Sequence, residues 1–148
     1  MKTFAIGDVH GQLDTLKRLM GRLPFRPEVD TLVFMGDLVD RGPDSRGVLE
    51  YARSLQQTTP HVVVLRGNHE QVMLNALSDR QSFLMWMFMG GAATYRNYCA
   101  GEPVWERYSL PTDTISYLES IPLSYSNEHA LFVHAGARRA QDGAWSVD

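Results

Sequence analysis

The sequence predicts an α/β fold organised on a mainly parallel sheet, and three observations carry that reading. Residues 2–8 (KTFAIGD), 31–37 (TLVFMGD) and 61–68 (HVVVLRGN) are strand-like runs, apolar without alternation. A stretch with helical periodicity follows each of them. Each run also closes on glycine and a charged or polar residue. Strands that read as continuous apolar runs are buried on both faces, and helices between them supply the crossovers that parallel pairing requires.

The elements follow in order. Residues 2–8 form a short buried strand that leads into a glycine-flanked loop, GDVHG. Leu13, Leu16, Leu19, Met20 and Leu23 then fall on one helical stripe. The second strand, at 31–37, precedes an amphipathic helix carrying Val48, Leu49, Ala52 and Leu55, with Asp44 or Ser45 as its N-cap. The third strand, at 61–68, leads into a helix beginning HEQVMLNAL. Residues 79–117 read as helical but less regular, and the Met- and Trp-rich stretch Phe83–Met89 reads as core helix. PLSYSNEHALFVHAG reads as a hairpin turning near Asn127 and Glu128. After Ala137 no periodicity is legible. No linker or low-complexity segment divides residues 1–148, so the expectation is a single domain.

Composition excludes several classes of function. At 148 residues, 44% hydrophobic and 21% charged, the chain is long enough to bury a core. A net charge of −3 lacks the basic surplus of a nucleic-acid footprint. The apolar run before Asp8 is too short for a secretion signal, and FLMWMFMGGAA is too short to span a bilayer. One cysteine builds no disulfide framework, so a cytoplasmic location is expected, with no nucleic-acid or membrane partner.

The chemistry concentrates at the strand ends, where ligands bind in open α/β sheets. The first end gives Asp8 and His10, and the second Asp37, Asp40 and Arg41. The third gives Arg66, Asn68 and His69, and the last His134 in FVHAG. Held beside an apolar strand, such charges are costly unless something neutralises them. A shared metal centre does so. Carboxylate, imidazole and amide donors without thiolate suit manganese, iron or zinc. Asp37, with two oxygens, is the natural bridge between two ions.

Taken singly, these motifs are unremarkable. GDVHG alone is more often a turn, Asp40–Arg41 a surface ion pair, and Asn68–His69 a helix cap with Glu70 favourable in the first turn. Their coincidence at four strand ends favours metal. His61 and His129 stay structural or exposed. Cys99 is followed by AGEPVW, with Trp105 where a thiol-dependent phosphatase loop needs arginine.

GDVHG, GDLVDRG, LRGNHE and the later HAG, in that order, resemble the signature of the metallophosphoesterases, and more narrowly the bacterial and phage serine/threonine phosphoprotein phosphatases. The resemblance runs from Met1 to about Gly136. It implies a β-sheet sandwich flanked by helices, with two divalent metal ions, often manganese, at its edge. By resemblance, Asp8 and His10 would hold the first metal, Asp37 would bridge, and Asn68 and His134 would hold the second. Arg41 and Arg66 would clamp phosphate oxygens. His69, oriented by Asp40, would protonate the leaving group. MGGAAT resembles the family's NGG segment, with Met89 in place of asparagine.

Members usually continue well past HAG to supply a further arginine and a second histidine; here Arg138 and Arg139 stand just behind HAG, no histidine follows, and that later segment is not reached before Asp148. The resemblance therefore implies a C-terminally truncated member with an incomplete second sheet. A weaker second metal site and a sheet edge open to self-association would follow. The function implied is hydrolysis of phosphomonoesters, on a phosphoprotein or a small phosphorylated substrate, by a metal-activated water. The alternatives are a dinucleoside polyphosphate hydrolase and a weakly active or inactive metal-binding fragment. Relatives of the former more often show GNHD and a VARG-like loop, so Glu70 and Asp40 favour the protein-phosphatase branch.

Overall fold

The three apolar runs become the three strands of one parallel sheet. The computed structural model describes residues 1–139 and 145–147. β1 (Thr3–Ile6), β2 (Thr31–Phe34) and β3 (Val62–Val64) pair in that order, from Thr3 opposite Thr31 and from Leu32 opposite Val62. All four residues of the central strand β2 are buried. This is the physical reason its sequence does not alternate.

α1 (Leu13–Met20) and α2 (Ser45–Thr58) supply the crossovers. Asp44 caps α2, its carboxylate accepting from Gly47 N at 2.8 Å. The α1 stripe is narrower than its sequence suggests. Leu16 is buried, but Leu19 is 42% exposed, and Leu23 packs on the core from beyond the end of the helix. α3 (Asn68–Asn75) follows β3 directly, capped by Gly67 rather than by Asn68 or His69.

α4 (Arg80–Trp86) runs into a π-helical turn (Met87–Gly91) and then α5 (Ala92–Tyr98), with a break at Gly90, φ +107°. Phe83 and Trp86 face inward to an aromatic cluster with Tyr95 and Tyr108, and the Trp86 and Tyr108 ring centres are 4.7 Å apart. Leu84 and Met85 are exposed, and Phe88 is 91% exposed. The stretch expected to be core helix is therefore core on one face only, as helical periodicity requires. α6 (Thr112–Ser120) precedes the expected hairpin of β4 (Ser124–Ser126) and β5 (Leu131–Val133). Asn127 Oδ1 caps its turn, accepting from His129 N and Ala130 N at 2.9 Å each.

One expectation is corrected beyond Ala137. β6 (Ala137–Arg139) pairs antiparallel with β7 (Trp145–Val147), whereas the sequence shows no pattern there. Strands of three residues are too short to establish an alternation.

Two of the bonds that dock the β4–β5 pair onto the parallel sheet lie at the end that carries the site. Arg66 N donates to Pro122 O at 2.9 Å, and His134 Nδ1 donates to Met35 O at 2.8 Å. Gly36, at φ +100°, makes the approach possible. A Cβ there would lie 2.6 Å from Gly67 N and 2.9 Å from His134 Nδ1. Among the described residues no helix is long and apolar enough to cross a membrane.

Candidate metal centre

The loops after β1 and β2 are laid on each other by backbone bonds. Val9 N and His10 N donate to Asp37 O at 3.0 and 2.9 Å, and Gly11 N donates to Leu38 O at 2.8 Å. His10, Asp37, Asp40 and Arg41 all have positive φ, between +44° and +73°. A few per cent of non-glycine residues adopt that region, so four in one site mark a backbone held by its surroundings.

Glu70 is much of what holds it. Its Oε2 accepts from Gly67 N at 2.8 Å and Asp37 N at 2.9 Å, and its Oε1 accepts from Leu38 N at 2.8 Å and Val39 N at 3.1 Å. The side chain is fully buried. Burial pushes its pKa up and the nearby Asp37 charge adds to that, while the Gly67, Val39 and Leu38 N–H groups pull it down. With every acceptor position facing an N–H, the contacts fit a carboxylate.

The donor atoms are oriented for ligation. His10 Nδ1 donates to Val39 O at 2.7 Å, which turns the Nε2 lone pair inward. His134 is set the same way by Met35 O. Its Nε2 then lies 2.9 Å from Asn68 Oδ1 and 3.3 Å from Asp37 Oδ1. These three acceptors repel one another unless a positive charge sits among them, so the residues present fit a cation.

Among the described residues, two groups of histidine and aspartate offer one ligand atom per residue, all within 4.8 Å of each other: His10, Asp37 and His69, and Asp8, Asp37 and His134. Asp37 is common to both. Asp8 falls with His134, although its Oδ2 is also 3.8 Å from His10 Nε2, and His69 Nε2 approaches Asp37 Oδ2 at 3.9 Å.

Beside these groups His69 Nδ1 lies 2.7 Å from Asp40 Oδ2, with both side chains buried. Trp86 Nε1 donates to both Asp40 oxygens at 3.0 Å, and the Thr94 hydroxyl donates to Oδ1 at 2.7 Å. Arg41 turns inward, its NH1 2.9 Å from His10 Nε2 and its NH2 3.2 Å from His69 Nε2. Arg66 sits with Asn68 and His134 on the wall of a cavity of about 290 Å³, completed by Gln71, Val72 and Leu123. Its Nε is buried without a hydrogen-bond partner among the described residues. Every site residue expected from sequence thus lies in one connected region. Cys99 packs against the core, its Sγ 3.6 Å from Ser109 O.

Residues 1–146 match the calcineurin-like phosphoesterases. The chain belongs to that family. Among relatives of this calcineurin-like phosphoesterase is serine/threonine-protein phosphatase 1 of Salmonella typhimurium, 42% identical over 88 residues, which are 60% of this chain and 38% of that protein. The symmetrical bis(5'-nucleosyl)-tetraphosphatase of Pectobacterium atrosepticum is 49% identical over 74 residues, 50% of this chain and 25% of the other. The chain therefore spans between a quarter and two fifths of these relatives. A crystal structure provisionally named a diadenosine tetraphosphatase superposes with a TM-score of 0.66 at 26% identity, covering 95% of this chain and 53% of that one. A protein serine/threonine phosphatase from Saccharomyces cerevisiae, at 22% identity and TM-score 0.56 over 82% of this chain and 33% of its own, shares the fold.

Sequence reasoning missed three participants. Glu70 reads as a helix-end charge and Trp86 as core, and Thr94 enters only as the last residue of MGGAAT. The run of three polar residues that closes LRGNHE, Asn68, His69 and Glu70, was a signal for Glu70. Trp86 and Thr94 reach Asp40 from 46 and 54 residues away; the MGGAAT resemblance marks the segment that holds Thr94, but nothing local names Asp40 as the partner of either.

Proposed function

We propose that this calcineurin-like phosphoesterase hydrolyses phosphomonoesters, with a phosphoprotein as the favoured substrate class. Asp8, His10, Asp37, Asn68 and His134 would hold two divalent cations, manganese first among the candidates and iron or zinc next. Such ions, when bound, supply a water of lowered pKa and polarise a phosphate oxygen. Arg41 and Arg66 supply guanidinium donors for the non-bridging oxygens, which carry charge in the transition state. His69 presents Nε2 to the leaving group as proton donor while Asp40 fixes Nδ1. A single cysteine suits a reducing compartment, and the cytoplasm is the proposed location.

The observation that carries the reading is the buried Asp40–His69 pair at 2.7 Å. A serine alkoxide is strongly basic and needs a proton as it departs, whereas a nucleotide polyphosphate leaves as a weak base. A held proton donor therefore favours the monoester. The tetraphosphatase reading keeps support from the Pectobacterium relative's higher identity over a shorter match.

The test is turnover of a phosphoserine peptide, p-nitrophenyl phosphate and diadenosine tetraphosphate with manganese, by wild type and His69→Asn. The expected result is peptide hydrolysis that falls about 10²–10⁴-fold in the variant, with a much smaller loss on p-nitrophenyl phosphate. Tetraphosphate turnover far above peptide turnover would replace this reading with the second one.

A further inference from the structure

The segment from Trp86 to Asn97 is joined to the loop after β2 at every turn. Trp86 Nε1 reaches both Asp40 carboxylate oxygens at 3.0 Å. Gly90 O accepts Arg41 N at 3.2 Å. The Thr94 hydroxyl donates to Asp40 Oδ1 at 2.7 Å, accepts Asp40 N at 2.9 Å and lies 2.8 Å from Ser45 Oγ. Asn97 Oδ1 accepts Ser45 N at 2.8 Å, and its amide donates to Pro43 O at 3.0 Å. The segment is itself irregular, with a π-helical turn and Gly90 at φ +107°. The loop it grips contains Asp40 and Arg41, both in the left-handed region. An α-helix that gives up its regular bonds at one point, against a strained loop, has a positional reason for doing so.

From this geometry we infer that Trp86 and Thr94 are positioning residues for the proton donor. They act through Asp40 and never touch the substrate. An aspartate that holds a histidine by one oxygen can still rotate about its side-chain bonds. Here Oδ2 faces His69 Nδ1, Oδ1 faces the Thr94 hydroxyl, and the Trp86 N–H straddles both. The carboxylate has one orientation left, and His69 inherits it. The two donors also hydrogen-bond the buried carboxyl group from the side away from His69. Neither residue carries any charge of its own. The inference rests on the phosphoesterase reading for its consequence in turnover, but not for the geometry itself.

Two measurements on the full chain test it. The first compares kcat on phenyl phosphate and p-nitrophenyl phosphate, with manganese, for wild type, Thr94→Val and Thr94→Ser. Valine keeps the volume of threonine and removes the hydroxyl, and serine restores it. The expected result is a loss about tenfold greater on phenyl phosphate for Thr94→Val, the scale for outer partners of a functional histidine, with recovery in Thr94→Ser. Equal losses on both substrates, or a valine variant that behaves as wild type, would overturn it. The second measurement is proton NMR of the His69 Nδ1–H, assigned by its disappearance in His69→Asn. That far-downfield signal is expected in wild type and Thr94→Ser and broadened or shifted upfield in Thr94→Val. An unchanged signal in Thr94→Val overturns the inference even if the wild type turns over nothing, an outcome that would separately remove the phosphoesterase reading. Should Thr94→Val fail to fold by circular dichroism, Trp86→Phe, which removes the indole N–H, carries the same readouts.

Discussion

Asp37 belongs to both groups of ligand atoms, so its charge is common to whatever either group binds. In Asp37→Asn, manganese retained after dialysis is expected to fall further than in Asp8, His10, Asn68 or His134 variants. Two ions retained in full would remove the bridging role. Glu70 makes a complementary case, because it contributes no ligand and yet accepts from four backbone N–H groups across two loops. Glu70→Gln puts an amide N–H₂ against two of those donors. It is expected to cost about 1–3 kcal/mol or more in urea unfolding and to weaken manganese binding as the Asp37 backbone loosens. A variant of wild-type stability would mean that Glu70 is protonated in the fold. These two residues also mark what sequence can disclose. Asp37 stands out because a carboxylate beside an apolar strand end demands an explanation. Glu70 does not, because a glutamate in a first helical turn already has one. Its partners lie 31–33 residues away, apart from Gly67, and nothing in the local sequence names them.

At the scale of elements, β2 was legible because burial on both faces removed its alternation, and α2 because Asp44 precedes a clean apolar stripe. β6 and β7 were illegible because three residues carry no period. The Phe83–Met89 helix was half legible, since composition alone cannot divide Phe83 and Trp86 from Phe88. Two tests belong here. Gly36 lets β2, β3 and the His134 loop converge, and Gly36→Ala would bring a methyl within 2.6 Å of Gly67 N at a positive φ. A loss of about 1–3 kcal/mol is expected from the strained backbone conformation alone, with manganese binding impaired at the Asp37–His134 group. Unchanged binding would mean that the strand ends meet without it. The start of β2 is tied by Asp30, whose fully buried carboxylate is held well below the usual range by the Arg26 guanidinium at 3.0 Å, helped by Lys2 N at 2.8 Å. A depressed folded pKa stabilises above the unfolded value of about 3.9 and is lost as pH falls through and below it. Asp30→Asn should therefore be clearly less stable than wild type at pH 7, with the gap narrowing from about pH 5 downward. Urea midpoints at pH 7 and pH 3 decide this, and a constant gap would exclude the charge.

At the scale of the whole molecule, cation binding to the folded state alone should raise the unfolding temperature. At about 100 times the dissociation constant the gain is about 2.7 kcal/mol, or about 5–10 °C for a chain of this size. Chelator should reverse it, and Asp37→Asn should show little of it. A melting curve indifferent to manganese would separate the acceptor cluster from metal altogether. The contact between the β4–β5 pair and the parallel sheet sets an order of events in synthesis. His134 Nδ1 meets Met35 O across 99 residues of chain. At about 5–20 residues per second, the ribosome delivers the second partner about 5–20 s after the first. Once Glu70 has been added, about a third of the way into that interval, Asp8, Asp37 and the Glu70 staple can be in place while the imidazole that completes their company has not been made. The nascent chain thus passes through a stage with its carboxylates gathered and its last nitrogen donor absent, when metal capture is at its weakest.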